Sequence, residues 1–102
     1  MSEPDAASPQ TPEQHGPMPP PTFAFLVLSL RTQAEVYLGL VHLGEESEGP
    51  NADLPAARHA IDMLAMLQEK TRGNLTLEEQ RLIDNSLTEL RFRYVQAVEE
   101  QS

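Results

Sequence analysis

An all-α fold is what this sequence predicts: three helices, with an antiparallel hairpin preceded by a very apolar first helix and a disordered proline-rich N-terminal arm. Three observations point there. Apolar residues recur at helical spacing in three segments, helix-capping patterns stand at the start of each, and no segment finds a partner strand.

The arm comes first. Residues 1–21 hold seven of the nine prolines and almost nothing that a core could bury. Glu3, Asp5 and Glu13 face no base there. Such a stretch cannot recover the entropy lost on ordering, so it is expected to be disordered, with polyproline II character around Pro19, Pro20 and Pro21. Residues 22–102 then form the helical domain, of a size at which one core is only just sufficient.

Thr22 is placed to cap a first helix running from Phe23 to Leu43. On its main stripe fall Phe23, Leu26, Val27, Leu30, Ala34, Tyr37, Leu38 and Val41. A second line, Phe25, Ser29, Thr32, Val36, Leu40 and Leu43, lies on roughly the opposite side. The β-branched and aromatic run from Phe23 to Leu30 also suits a strand, but nothing nearby could pair with it. The stretch from Gly44 to Asn51 reads as a solvated loop with three glutamates.

Asp53 caps the second helix, and Pro55 is tolerated in its first turn. Leu54, Ala57, Ile61 and Leu64 form its stripe, widened by Ala60 and Leu67. The helix should stop near Thr71, with Gly73 in the left-handed conformation that closes it. Thr76 and Glu79 have capping-box spacing and start the third helix, whose face is Ile83, Leu87, Leu90, Tyr94 and Val98. Glu89 and Arg93 form an i,i+4 pair on it. So short a linker makes helices two and three antiparallel neighbours.

The run from Asp53 to Val95 resembles a bacterial family, the domain of unknown function 1844. The residues that carry the likeness are Ala57, Ile61, Asp62, Leu64, Met66 and Leu67, then the blocks Glu69-Lys70-Thr71 and Gly73-Asn74-Leu75-Thr76, then Glu89-Leu90-Arg91 and Tyr94-Val95. Phe23, Ser29-Leu30 and Leu38-Gly39 extend it upstream, so it covers about Phe23 to Val98. Glu45 to Asn51 looks like a variable loop, and Arg31 stands where small residues are more usual. The resemblance implies a small helical bacterial protein and supplies no activity, substrate or binding residue.

Charge removes whole classes of function. Sixteen acids against seven bases give a net charge of −9, with no basic stripe to neutralise phosphates. Neither nucleic acid nor an anionic membrane surface is an expected partner. The chain has no cysteine, so thiolate chemistry is absent. There is no secretory pattern at the start, and Arg31, Gln33 and Glu35 interrupt the one segment resembling a membrane span. These features predict a cytoplasmic protein.

The candidate chemistry is sparse. His15, His42 and His59 are not at ligand spacing, and no carboxylate joins them, so no metal or other cofactor is expected. Asp62 and Asp84 interrupt apolar stretches, yet no histidine, serine or second carboxylate stands ready to complete a site. The segment from Glu69 to Glu79 could be an anion-binding helix start, but Glu78 and Glu79 already occupy that position electrostatically. A glycine-rich phosphate loop and a nucleophile motif are both missing.

Surplus apolar surface is the stronger signal. Phe25, Val36, Leu40 and Leu43 on helix one, Met63 and Met66 on helix two, and Phe92 and Val95 on helix three all lie off the core stripes. They are the candidate interface residues, and an ordinary broad helix face is the competing explanation. The expected function is a non-enzymatic interaction or structural module that self-associates, a dimer being simplest. The alternative is a small regulatory adaptor that binds a separate protein through its first helix. A metal-dependent or hydrolytic enzyme is the third reading.

Overall fold

The structure, a computed structural model, describes residues 17–41 and 52–101. Among these the chain forms three helices and no strand: α1 (Phe23–Tyr37), α2 (Leu54–Lys70) and α3 (Leu77–Gln101). None is long and apolar enough to cross a membrane. The N-terminal arm up to residue 16, and the acidic loop from 42 to 51, lie outside the described residues.

The helix starts follow the sequence signals. The Thr22 hydroxyl accepts from the Phe25 amide at 3.0 Å, and the Asp53 carboxylate accepts from the Ala56 amide at 3.1 Å. At α3 the capping box is complete. The Glu79 amide donates to the Thr76 hydroxyl at 3.1 Å, while the Thr76 amide donates to the Glu79 carboxylate at 2.9 Å. The run from Phe23 to Leu30 is helical, not a strand.

One boundary differs from expectation. α1 stops at Tyr37 rather than reaching Leu43, because Gly39 adopts φ 84°. The Leu40 amide then reaches back to the Glu35 carbonyl at 2.9 Å, and the Gly39 amide to the Val36 carbonyl at 3.0 Å. This pair of bonds is a Schellman motif, which satisfies carbonyls that would otherwise be orphaned at the helix end. The chain end so produced stays close to α2, whose Asp53 amide donates to the Tyr37 carbonyl at 2.7 Å.

α2 ends near Thr71 as expected, and Gly73 has φ 87°. Gly73 sits in the turn after the cap, where the Asn74 amide donates to the Thr71 carbonyl at 2.9 Å. The turn makes α2 and α3 antiparallel. Gln68 meets Asp84 near it, whereas Ile61 and Asp62 share a cleft with Arg91 and Tyr94 farther along.

α1 packs on both members of the hairpin. The core is Val27, Ala34 and Leu38 from the first segment, Ala57, Ala60, Ile61 and Leu64 from α2, and Ile83, Leu87 and Leu90 from α3. Each fully buried leucine, isoleucine or valine contributes about 1.5–3 kcal/mol through removal from water. Alanines at 34, 57 and 60 lower the side-chain bulk on α1 and α2, which favours close helix approach. Leu26, assigned to the α1 core stripe from its spacing, is instead 45% exposed. It lies about 100° round the helix from Val27, at the edge of the buried arc, where it lines an open depression with Leu30 and Gln33. Val98 is likewise exposed, since α3 with 25 residues outruns the 17 of α2.

Candidate functional site

The flank of α1 that faces α3 is polar and tied down. Arg31 donates to Glu35 one turn later at 3.1 Å and reaches across to the Ser86 hydroxyl at 3.4 Å. Its guanidinium also lies 3.8 Å from Glu89, which in turn pairs with Arg93 at 3.4 Å. Ser86 is fully buried, so the Arg31 stem crosses the helix seam to reach it. The network joins two cations and two carboxylates, leaving no net charge on this flank.

The outer face of α1 is different in kind. Phe25, Leu26 and Leu28 are 44–46% exposed. Leu26, Ser29, Leu30, Thr32, Val36 and Tyr37, with Gln33, line an open and mostly apolar depression along the helix. The polar groups in it make few demands, for the Ser29 hydroxyl already donates to the Phe25 carbonyl at 2.8 Å. No exposed residue of α1 is charged, although the whole chain carries −9. Exposed positions of α2 and α3 include many ionised groups, among them Arg58, Asp62, Glu69, Glu78 and Arg91.

The candidate interface residues are distributed over more than one surface. Phe25 is exposed on the outer side of α1 and Val36 is half-buried among the groove residues, whereas Leu40, past the turn at Gly39, borders a cleft against α3 with Glu35, Glu89 and Arg93. Leu43 lies outside the described residues. Met63 and Met66 are exposed on α2, at positions turned away from the α3-facing side that Ile61 and Gln68 mark. Phe92, 61% exposed, points away from the Ile83, Leu87 and Leu90 core on α3, and Val95 borders the α2–α3 cleft with Arg58 and Tyr94. Among the described candidates, Val36 alone lines the depression on α1.

Asp62 and Asp84 have structural partners. Asp62 lies 3.6 Å from Arg58, both well exposed. The Asp84 carboxylate accepts from the Gln68 side chain at 2.6 Å and from Gln80 at 2.9 Å, bridging the hairpin close to its turn. His59 is exposed in mid-helix, while His15 and His42 lie outside the described residues. Among the described residues, no three histidine or carboxylate side chains cluster closely enough to hold a metal ion.

Sequence reasoning missed two features. The Arg31–Ser86 contact spans 55 residues, and no local pattern reports so distant a pairing. Gly39 had a readable signal, a glycine followed by leucine after an apolar helical run, but the apolar pattern continuing through Leu43 concealed it.

Comparison with known proteins finds one family model, the domain of unknown function DUF1844, matching residues 20–96. No curated protein and no solved structure matches the chain.

Proposed function

The chain belongs to the DUF1844 family, and from that premise we propose that it is a non-enzymatic interaction module that associates with itself through the outer face of α1. The observation that carries this reading is the uncharged apolar strip on an otherwise acidic chain. Exposed apolar side chains are ordinary when scattered, but a continuous strip on a small domain marks a contact surface. Burying it returns about 25 cal/mol for each Å² of apolar area. The engagement of Asp62 and Asp84 in structural contacts also favours a binding role over a catalytic one. On this reading residues 1–21 form an acidic arm outside the folding unit.

The test is the native mass. Size exclusion coupled to light scattering at micromolar concentration should report at least twice the 11.3 kDa of the chain. Phe25→Glu should shift the mass toward the monomer. This substitution is chosen because residue 25 is the third helical position after the Thr22 cap. A glutamate there can complete a capping box, so the helix itself is not weakened. A wild-type monomer at every concentration would overturn the reading and favour an adaptor with a separate partner.

A further inference from the structure

We propose that His59, Met63 and Met66 form a binding site for a soft monovalent metal ion, Cu(I), on the outer face of α2. The inference stands apart from the contact through α1 and uses residues of a different helix.

The three residues occupy positions i, i+4 and i+7 of α2. At 100° per residue they fall within an arc of about 60°, separated by about 6 Å and then about 4.5 Å along the axis. Side chains at such spacings are neighbours on a helix surface. All three are exposed, Met63 by 39% and Met66 by 45%. They stand on the side of α2 opposite Ile61 and Gln68, which face α3. Among the described residues the His59 ring makes no hydrogen bond or ion pair, so its nitrogens are open to a ligand. A methionine side chain is unbranched and turns about three bonds, which lets each sulfur swing toward an ion held over the middle of the arc.

Ligand type decides which ion this is. Thioether sulfur is soft and selects Cu(I), and imidazole also suits copper. Zn(II) is held by thiolate, imidazole and carboxylate, of which this face offers a single imidazole. The carboxylates that flank the arc are engaged elsewhere, Asp62 with Arg58 at 3.6 Å and Glu69 with Arg72 at 3.2 Å. The chain has no cysteine, so no thiolate competes for the ion. Its charge of −9 draws cations to the surface.

The probe is Cu(I), supplied under nitrogen with a reductant to the full-length protein, in competition with a chromophoric Cu(I) chelator. The wild type should withdraw one ion per chain, and equimolar Zn(II) should not displace it. Met63→Leu and Met66→Leu remove the sulfur but keep the apolar volume and the helix preference, so helical circular dichroism and native mass should stay unchanged. Loss of a supporting residue behind the ligands already weakens a metal site by about 10–100-fold, so loss of one ligand should weaken Cu(I) binding by at least ~10-fold. His59→Gln should show a loss of the same order. A second measurement locates the ion. On titration with Ag(I), a diamagnetic stand-in for Cu(I), the methyl resonances of Met63 and Met66 should shift while those of Met1 and Met18 stay in place. Equal withdrawal of Cu(I) by the wild type and the double leucine variant would put the ion elsewhere on the chain and overturn the proposal. A wild type that withdraws none, or that gives the ion up to Zn(II), would overturn it as well. None of these outcomes bears on self-association through α1, which native mass reports separately.

Discussion

Replacing Gly73 by alanine tests the hairpin turn with little interference from packing. Gly73 has φ 87°, in the left-handed region, and a Cβ built on it meets no atom within 4 Å. The added methyl therefore has space, and the penalty comes from the backbone alone. For an L-residue that penalty is about 1–2 kcal/mol, offset by about 0.4–1 kcal/mol because alanine also restricts the unfolded chain. The net expectation is a loss of about 1 kcal/mol, or a fall of about 4–8 °C in Tm for a domain this small. Urea unfolding followed by far-ultraviolet circular dichroism should show a lower midpoint and an unchanged slope. Both proteins are compared at one concentration, since association and folding are linked. Gly73→Asn should recover part of the loss, because asparagine visits the left-handed region more readily. Native mass should not change, as the turn shares no residue with α1. An alanine variant as stable as the wild type would show that residue 73 is not held at positive φ, and the described turn would fall.

Two further expectations rest on side-chain contacts. Thr76→Ala should cost about 1 kcal/mol through the lost cap, and Glu79→Ala should cost less. Their double variant should cost less than the two added together, because each single change already breaks the reciprocal box; strict additivity in a double-mutant cycle would refute the pairing at 2.9 and 3.1 Å. Arg31→Met keeps the apolar stem but leaves Glu35 and Glu89 without their shared cation, and should cost about 1 kcal/mol at low ionic strength. That difference should shrink in 1 M salt, where the Debye length is about 3 Å. Equal stability of variant and wild type at low salt would mean that the network does not hold α1 to the hairpin.

Much of the architecture was legible because its causes are local. Thr22, Asp53 and the Thr76–Glu79 pair each bond an amide three residues away, so spacing alone locates the helix starts. Periodicity identified most of the core for the same reason, as in Ala57, Ile61 and Leu64 on α2 and Ile83, Leu87 and Leu90 on α3. The exposed line through Phe25, Ser29 and Thr32 was readable too, since it is the side of α1 opposite the stripe of Val27 and Ala34.

The sequence by itself determined the three helices, their N-terminal caps, the direction of the hairpin and the acidic character that any contact must accommodate. Tertiary structure decided how wide an arc of α1 is covered, and so moved Leu26 from core to surface. It also decided that Arg31 reaches Ser86 and Glu89, which confines the charge of α1 to one flank and leaves the other uncharged. The physical reason is range. A cap or a stripe is set by neighbours within one or two turns, whereas coverage and cross-helix pairing depend on where a helix 55 residues away comes to rest.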